Sequence, residues 1–162
     1  KVAELVADKD CSIVWCHLND EGDLLEEIIP DAVQVKGSDS DDYKEETLLS
    51  FADGKIKTLV TKGKIAGHGM NWQNCAHMTV FPSHSWEEYY QSVRRCWRFG
   101  QTRPVVVDIV TTPGEIDVLN NLQRKAEAAD KMFASLIAHM NESIQIDRNC
   151  DFLEEEKCPS WL

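Results

Sequence analysis

The chain has 162 residues and a formal net charge of −11 at neutral pH, with 43% hydrophobic and 28% charged residues. That balance is the one of a soluble globular domain able to bury a real core, and no run of about eighteen apolar residues is present to span a membrane. The acidity excludes a protein that holds nucleic acid by bulk charge, so any such contact has to be local.

Residues 1–10 read as a linker or the end of a helix entering from a preceding domain, too short and too charged for a signal peptide. The expectation is therefore a piece of a longer protein. Ser12–Cys16 is a short apolar run rich in strand formers. Asn19 or Asp20 is placed to cap a helix through Leu24, Leu25, Ile28 and Ile29, which Pro30 ends. Ala32–Lys36 reads as a second strand, Gly37–Ser40 as a polar loop. A helix from Ser40 or Asp41 carries Leu48 and Phe51, and Gly54 closes it.

Ile56–Thr61 is a third strand, followed by a segment with glycines at 63, 67 and 69, which mark close backbone approach or unusual dihedrals. His77–Phe81 is a fourth strand. Ser85 is a cap for a helix from Trp86 to the Gly100 stop, Val105–Val110 a fifth strand. Apolar positions from Ile116 to Met140 repeat at threes and fours, predicting a long helix whose stripe packs in a core. Short apolar strands alternating with helices predict an α/β layer with a mainly parallel sheet.

Six cysteines stand without a C-x-x-C pair, and four of the five histidines are scattered. Incidental or buried thiols in a reducing cytoplasm, with no metal site, are the expectation.

One segment reverses the sign of the chain: residues 94–103 hold Arg94, Arg95, Arg98 and Arg103 and no acid. Fixed guanidinium forks suit phosphate oxygens; the alternative is a solvated basic face balanced by Glu87 and Glu88. In an open parallel sheet, ligands bind beyond the carboxyl ends of the strands. The Gly-rich segment and the arginine helix both fall there, which favours an anion site. The chain has no G-K-T/S loop of its own, so it offers half a site for a nucleotide.

Gln91-x-x-x-Arg95-x-x-Arg98-x-Gly100-Gln101 resembles motif VI of superfamily 2 helicases, and Arg-Phe-Gly-Gln is similar to the R-I-G-Q of the SWI/SNF-like branch. Gly67-x-Gly69-Met-Asn71-Trp-Gln73 resembles that branch's motif V, and the whole looks like a phage-type helicase. The resemblance spans about residues 10–112. It implies a three-layer RecA-like domain over 11–145, a long C-terminal helix, and an acidic tail over 146–162. By the same resemblance, Arg95 and Arg98 contact a γ-phosphate with Gln91 assisting, and Gly69 and Asn71 line the nucleotide side. Lys36, Gly37, Thr61 and Lys62 lie towards a nucleic-acid backbone. ATP and Mg²⁺ would be held mainly by an N-terminal RecA-like domain of the same protein, with DNA as the other partner, in the cytoplasm of a bacterial or phage-infected cell. Arg94, where that family often has a small residue, is read as a surface charge with a third anion contact as the alternative, and Trp72, in place of the usual Leu, as packing with base stacking as the alternative. A non-catalytic scaffold binding a protein partner stays open as the alternative.

Overall fold

A computed structural model describes residues 1–66 and 70–148, with side chains described to residue 141. In chain order the elements are α1 (Val2–Ala7), β1 (Ser12–Trp15), α2 (Asn19–Ile28), β2 (Ala32–Gln34), α3 (Asp41–Ala52), β3 (Thr58–Thr61), β4 (His77–Val80), α4 (Trp86–Arg94), β5 (Val106–Ile109), a 3₁₀ turn (Pro113–Glu115) and α5 (Ile116–Arg148). The five strands form one sheet in the order β2-β3-β1-β4-β5. Every pairing is parallel, with Ile13 opposite both Leu59 and Met78. The expected α/β fold with a parallel sheet and a long last helix is what the chain adopts.

Each residue of β1, β3 and β4 is buried, as a parallel sheet covered on both faces requires. Successive side chains alternate between two cores. Ile13, Trp15, Leu59, Met78 and Val80 join Val35, Phe51 and Trp72 in one. Val14, Cys16 and Val60 join Val2, Val6, Leu25 and Ile29 in the other. The result is three layers. β5 closes one edge and is half-exposed through Val106 and Ile109.

Local chemistry sets the helix ends. Ser40 Oγ accepts from the Tyr43 N–H at 3.3 Å, and Gly54 leaves α3 at φ +76°, a region glycine enters without a Cβ clash. The start of α2 differs from expectation: Leu18 is the N-cap. Neither Asn19 nor Asp20 caps it, because Glu21 reaches back and accepts from the backbone N–H groups of His17 and Leu18, both at 2.9 Å. A carboxylate there satisfies two donors and suits the helix dipole.

At the amino edge of the sheet a polar chain crosses three strands. Ser12 Oγ and His77 Nδ1 share a hydrogen bond of 2.7 Å, and His77 Nε2 and Asp108 one of 2.8 Å. Ser12 is 0% exposed, so this Ser–His–Asp order satisfies buried polar groups.

The chain divides into two compact units, Lys1–Leu122 and Gln123–Leu162. Leu122 is buried, but Met132, Phe133, Leu136, Ile137 and Met140 on α5 are exposed. The expectation that the whole stripe packs in a core is therefore corrected for its distal half: periodicity defines an apolar face without supplying a surface to cover it. Residues 149–162, most of the expected acidic tail, lie outside the described residues. Among the described residues no helix is long and apolar enough to cross a membrane.

Candidate functional site at the carboxyl edge of the sheet

β1, β3 and β4 are neighbours, so whatever follows their carboxyl ends converges. A cleft of about 270 Å³ opens there, lined by Trp15 from the end of β1, Gly63 and Lys64 after β3, and Ser85, Glu88, Gln91 and Arg95 around α4. A second depression of about 410 Å³ is lined by Tyr90, Gln91, Arg94, Arg95 and Arg98. Gln91 and Arg95 belong to both. Ser85 fixes the start of α4, its Oγ accepting from the Glu88 N–H at 3.2 Å. Gly63 leaves room for Glu88, since a Cβ at that position would stand 3.0 Å from the Glu88 side chain.

The helix does not run on to Gly100. It ends at Arg94, with Arg95 as its C-cap, so Arg98 lies beyond it and not on a shared helical side with Gln91. The reason is competition for carbonyls. The Arg95 carbonyl accepts from the Trp72 N–H at 3.0 Å, and the Cys96 carbonyl from Gln101 Nε2 at 3.3 Å. Backbone acceptors that would have continued the helix are taken by the loop before β4 and by Gln101.

These contacts bind two distant segments together. Gln101 Nε2 also donates to the carbonyls of Gln73 (3.0 Å) and Cys75 (3.1 Å). Gln73 Nε2 donates to the Phe99 carbonyl, and Arg98 Nη1 to the Met70 carbonyl at 3.4 Å. Gly100 sits at φ +95°, and a Cβ there would come within 2.9 Å of Gln73 Nε2. Gln73 and Gln101 thus position the arginine loop. Composition gave no sign of them; their signal was their place at the ends of the two motifs.

Arg95 is only 8% exposed, and its Nε has no hydrogen-bond partner. Burial, and then neighbouring Arg98, lower its pKa from the ordinary value. A guanidinium is not deprotonated in a protein at neutral pH, so the charge persists. Among the described residues, no carboxylate lies within ion-pair distance of Arg94, Arg95, Arg98 or Arg103; the ion pairs are elsewhere. Glu87 and Glu88 therefore do not neutralise the arginines. Arg94 is exposed and stacks its guanidinium over the Trp97 ring at 5.2 Å. Arg98 and Gln91 are exposed beside it.

The other expected residues are placed as follows. Asn71 is exposed on the loop before β4; Gly69, with Gly67 and His68, lies outside the described residues. Trp72 is a core residue, 0% exposed, edge-on to Phe51 at 5.4 Å and tilted against Trp15 at 6.1 Å. Lys36 pairs with Asp23 at 2.8 Å, which raises the lysine pKa through that hydrogen bond. Gly37 is exposed with open space around it. Lys62 Nζ donates to Asn19 Oδ1 at 2.6 Å. Thr61 is 0% exposed and its hydroxyl donates to the Val35 carbonyl, so its side chain is turned into the sheet. Among the described residues no group of three His, Cys, Asp or Glu is placed to hold a metal ion.

A three-layer fold on a parallel sheet thus carries, at its carboxyl edge, a cleft of about 270 Å³ and arginines with no carboxylate in ion-pair distance among the described residues. The chain belongs to the helicase conserved C-terminal domain family, whose model matches residues 1–100. It is similar to protein p41 of Acyrthosiphon pisum secondary endosymbiont phage 1, at 30% identity over 95 residues, covering 54% of this chain and 21% of that protein. The chain thus spans about a fifth of the length of that relative. Its fold is also that of the C-terminal part of the Fun30 ATPase domain (TM-score 0.66, 16% identity, covering 75% of this chain and 43% of that one). The C-terminal domain of S. cerevisiae Dbp5, solved bound to Gle1 and IP6, is similar as well (TM-score 0.65, 15% identity, 78% and 76% covered).

Proposed function

We propose that the chain is the second motor domain of an ATP-dependent DNA helicase or translocase of the SWI/SNF-like branch, in a phage or its bacterial host. ATP and Mg²⁺ are held mainly by an N-terminal RecA-like domain of the same protein. Arg95 and Arg98 then reach the γ-phosphate, with Gln91 assisting and Gly69 and Asn71 lining the nucleotide side. The observation that carries this reading is Arg95: a nearly buried guanidinium with an unpartnered Nε and no carboxylate beside it. Burying an unpaired charge is costly, and an arriving phosphate offsets that cost by supplying acceptors.

The chemistry asked of the domain is electrostatic. Charge developing on the transferred phosphoryl group is met by guanidinium groups already in position, an effect on the order of 10³–10⁵ in rate for arginine fingers. The nucleotide with its metal supplies the bond that is cleaved. This chain supplies Arg95, preset by burial, and Arg98, tied to the Met70 carbonyl. Closing the lobes on ATP and reopening after hydrolysis changes the grip on the strand. Lys36, Gly37, Lys62 and the backbone at Thr61 face the nucleic-acid side.

In the full-length protein, Arg95→Ala and Arg98→Ala are expected to lower DNA-stimulated ATP turnover by about 10³-fold with the circular dichroism spectrum unchanged. Normal turnover in both variants rules the assignment out and leaves the scaffold reading.

A further inference from the structure

Two aromatic side chains, Trp97 and Phe99, stand among the arginines of residues 94–103, and the phosphate contacts proposed above use neither. Phe99 is 102% exposed and Trp97 54%. A single exposed ring is ordinary on a protein surface, but these two sit on a loop whose backbone is held. The Trp97 N–H donates to the Val93 carbonyl at 3.0 Å, and the Cys96 carbonyl just before it accepts from Gln101 Nε2 at 3.3 Å. The Phe99 carbonyl accepts from Gln73 Nε2, and Gly100 turns the chain at φ +95°. Main-chain bonds thus fix the frame around both rings and leave the rings outside the core. A contact residue held in place beforehand lowers the ordering cost of binding.

Charge narrows what binds there. The Arg94 guanidinium lies over the Trp97 ring, 5.2 Å from its centroid, and among the described residues no carboxylate is in ion-pair distance of it. In a chain of net charge −11, a local surface that is both basic and aromatic selects an anion that also offers flat faces. A nucleic-acid strand with unpaired bases supplies both, because every base has a π-face and every linkage a phosphate. A duplex supplies the phosphates alone, its base faces being closed in the stack. We propose that Trp97 and Phe99 form a stacking platform for the unpaired bases of a single strand, with Arg94 holding the Trp97 ring and supplying charge for the adjoining phosphates. This surface is separate from the contacts assigned to Lys36, Gly37, Thr61 and Lys62. It stands independently of Arg95 and Arg98 as arginine fingers, so strand binding and ATP turnover test different claims.

The full-length protein, without ATP, is titrated into fluorescein-labelled oligothymidylate of about 20 nucleotides at about 0.15 M salt, and into a duplex of the same length, with anisotropy as the readout. Trp97→Ala and Phe99→Ala are each expected to weaken single-strand binding by about tenfold, while Trp97→Phe stays within about threefold of the parent and the duplex Kd of every variant within about twofold. Both rings are exposed, so neither substitution empties a core, and an unchanged circular dichroism melt checks that. Phe133→Ala, at an exposed ring on α5, is the control and leaves both Kd values unchanged. The proposal is overturned if the parent does not bind oligothymidylate, or if both alanine variants bind it as the parent does. An equal loss on single strand and duplex also overturns it, since that is a charge contact without stacking. So does displacement of the strand by about 1 mM thymidine monophosphate, which makes the surface a pocket for a free nucleotide. Loss of DNA-stimulated ATP turnover in Phe99→Ala with strand affinity intact gives the ring to a protein contact, and refutes the platform likewise.

Discussion

Gln101→Ala removes the amide that holds three carbonyls, those of Gln73, Cys75 and Cys96, at 3.0, 3.1 and 3.3 Å. An amide nitrogen has two hydrogens, so three acceptors share two donors. Two net hydrogen bonds at about 1 kcal/mol each, with part of a desolvation penalty for carbonyls left in a buried turn, give roughly 2–3 kcal/mol. In a domain of this size each kcal/mol shifts Tm by about 2–4 °C, so a fall of roughly 4–12 °C is expected. Thermal unfolding followed by circular dichroism reads it, with exposed Thr102→Ala as the control. Gln101→Glu is expected to lose more, because a carboxylate puts acceptor against acceptor. If Gln101→Ala melts within about 1 °C of Thr102→Ala, the clamp holds nothing and the reasoning fails.

Other expected outcomes rest on independent parts of the fold. Trp72→Ala empties a site packed by Trp15 and Phe51 and should cost about 3–5 kcal/mol in urea unfolding. Gly100→Ala meets a left-handed φ of +95° and a Cβ contact of 2.9 Å with Gln73, a loss of about 1–3 kcal/mol by the same measurement. Asp108→Ala strips the outer member from the Ser12–His77–Asp108 chain and should destabilise by about 1–2 kcal/mol; no change would mean the chain is idle. For the chain alone, with its charge of −11, duplex binding at about 0.15 M salt should be weaker than a Kd of roughly 10⁻⁴ M. Fluorescence anisotropy showing a micromolar Kd would contradict the view that its nucleic-acid contacts are local and few.

Strand positions were legible because the sheet is buried on both faces: Ser12–Cys16 is an apolar run bounded by polar residues, Ile56–Thr61 is rich in β-branched residues, and the described strands fall inside them. Ser40 and Ser85 were legible as caps because a hydroxyl before a periodic segment has one obvious donor to satisfy. The end of α4 was not. Local spacing carries Gln91, Arg95 and Arg98 along one helical side, but the Trp72 N–H and the Gln101 amide, remote or beyond the helix, claim the carbonyls that would extend it. The distal stripe of α5 shows the converse, a period written plainly in the sequence whose covering surface is not.

Arg94 and Arg98 make the sharpest comparison, since both are exposed and line the same depression, while only Arg98 is tied to the Met70 carbonyl and Arg94 rests on Trp97. The direct measurement is single-turnover ATP hydrolysis by the full-length protein with DNA present, comparing Arg98→Ala with Arg94→Ala, with ATP affinity measured alongside. A loss of about 10³-fold in the chemical step for Arg98→Ala, with Arg94→Ala near the parent rate and both still binding ATP, is the expected result. Equal rates in the two variants would contradict an arginine finger at Arg98.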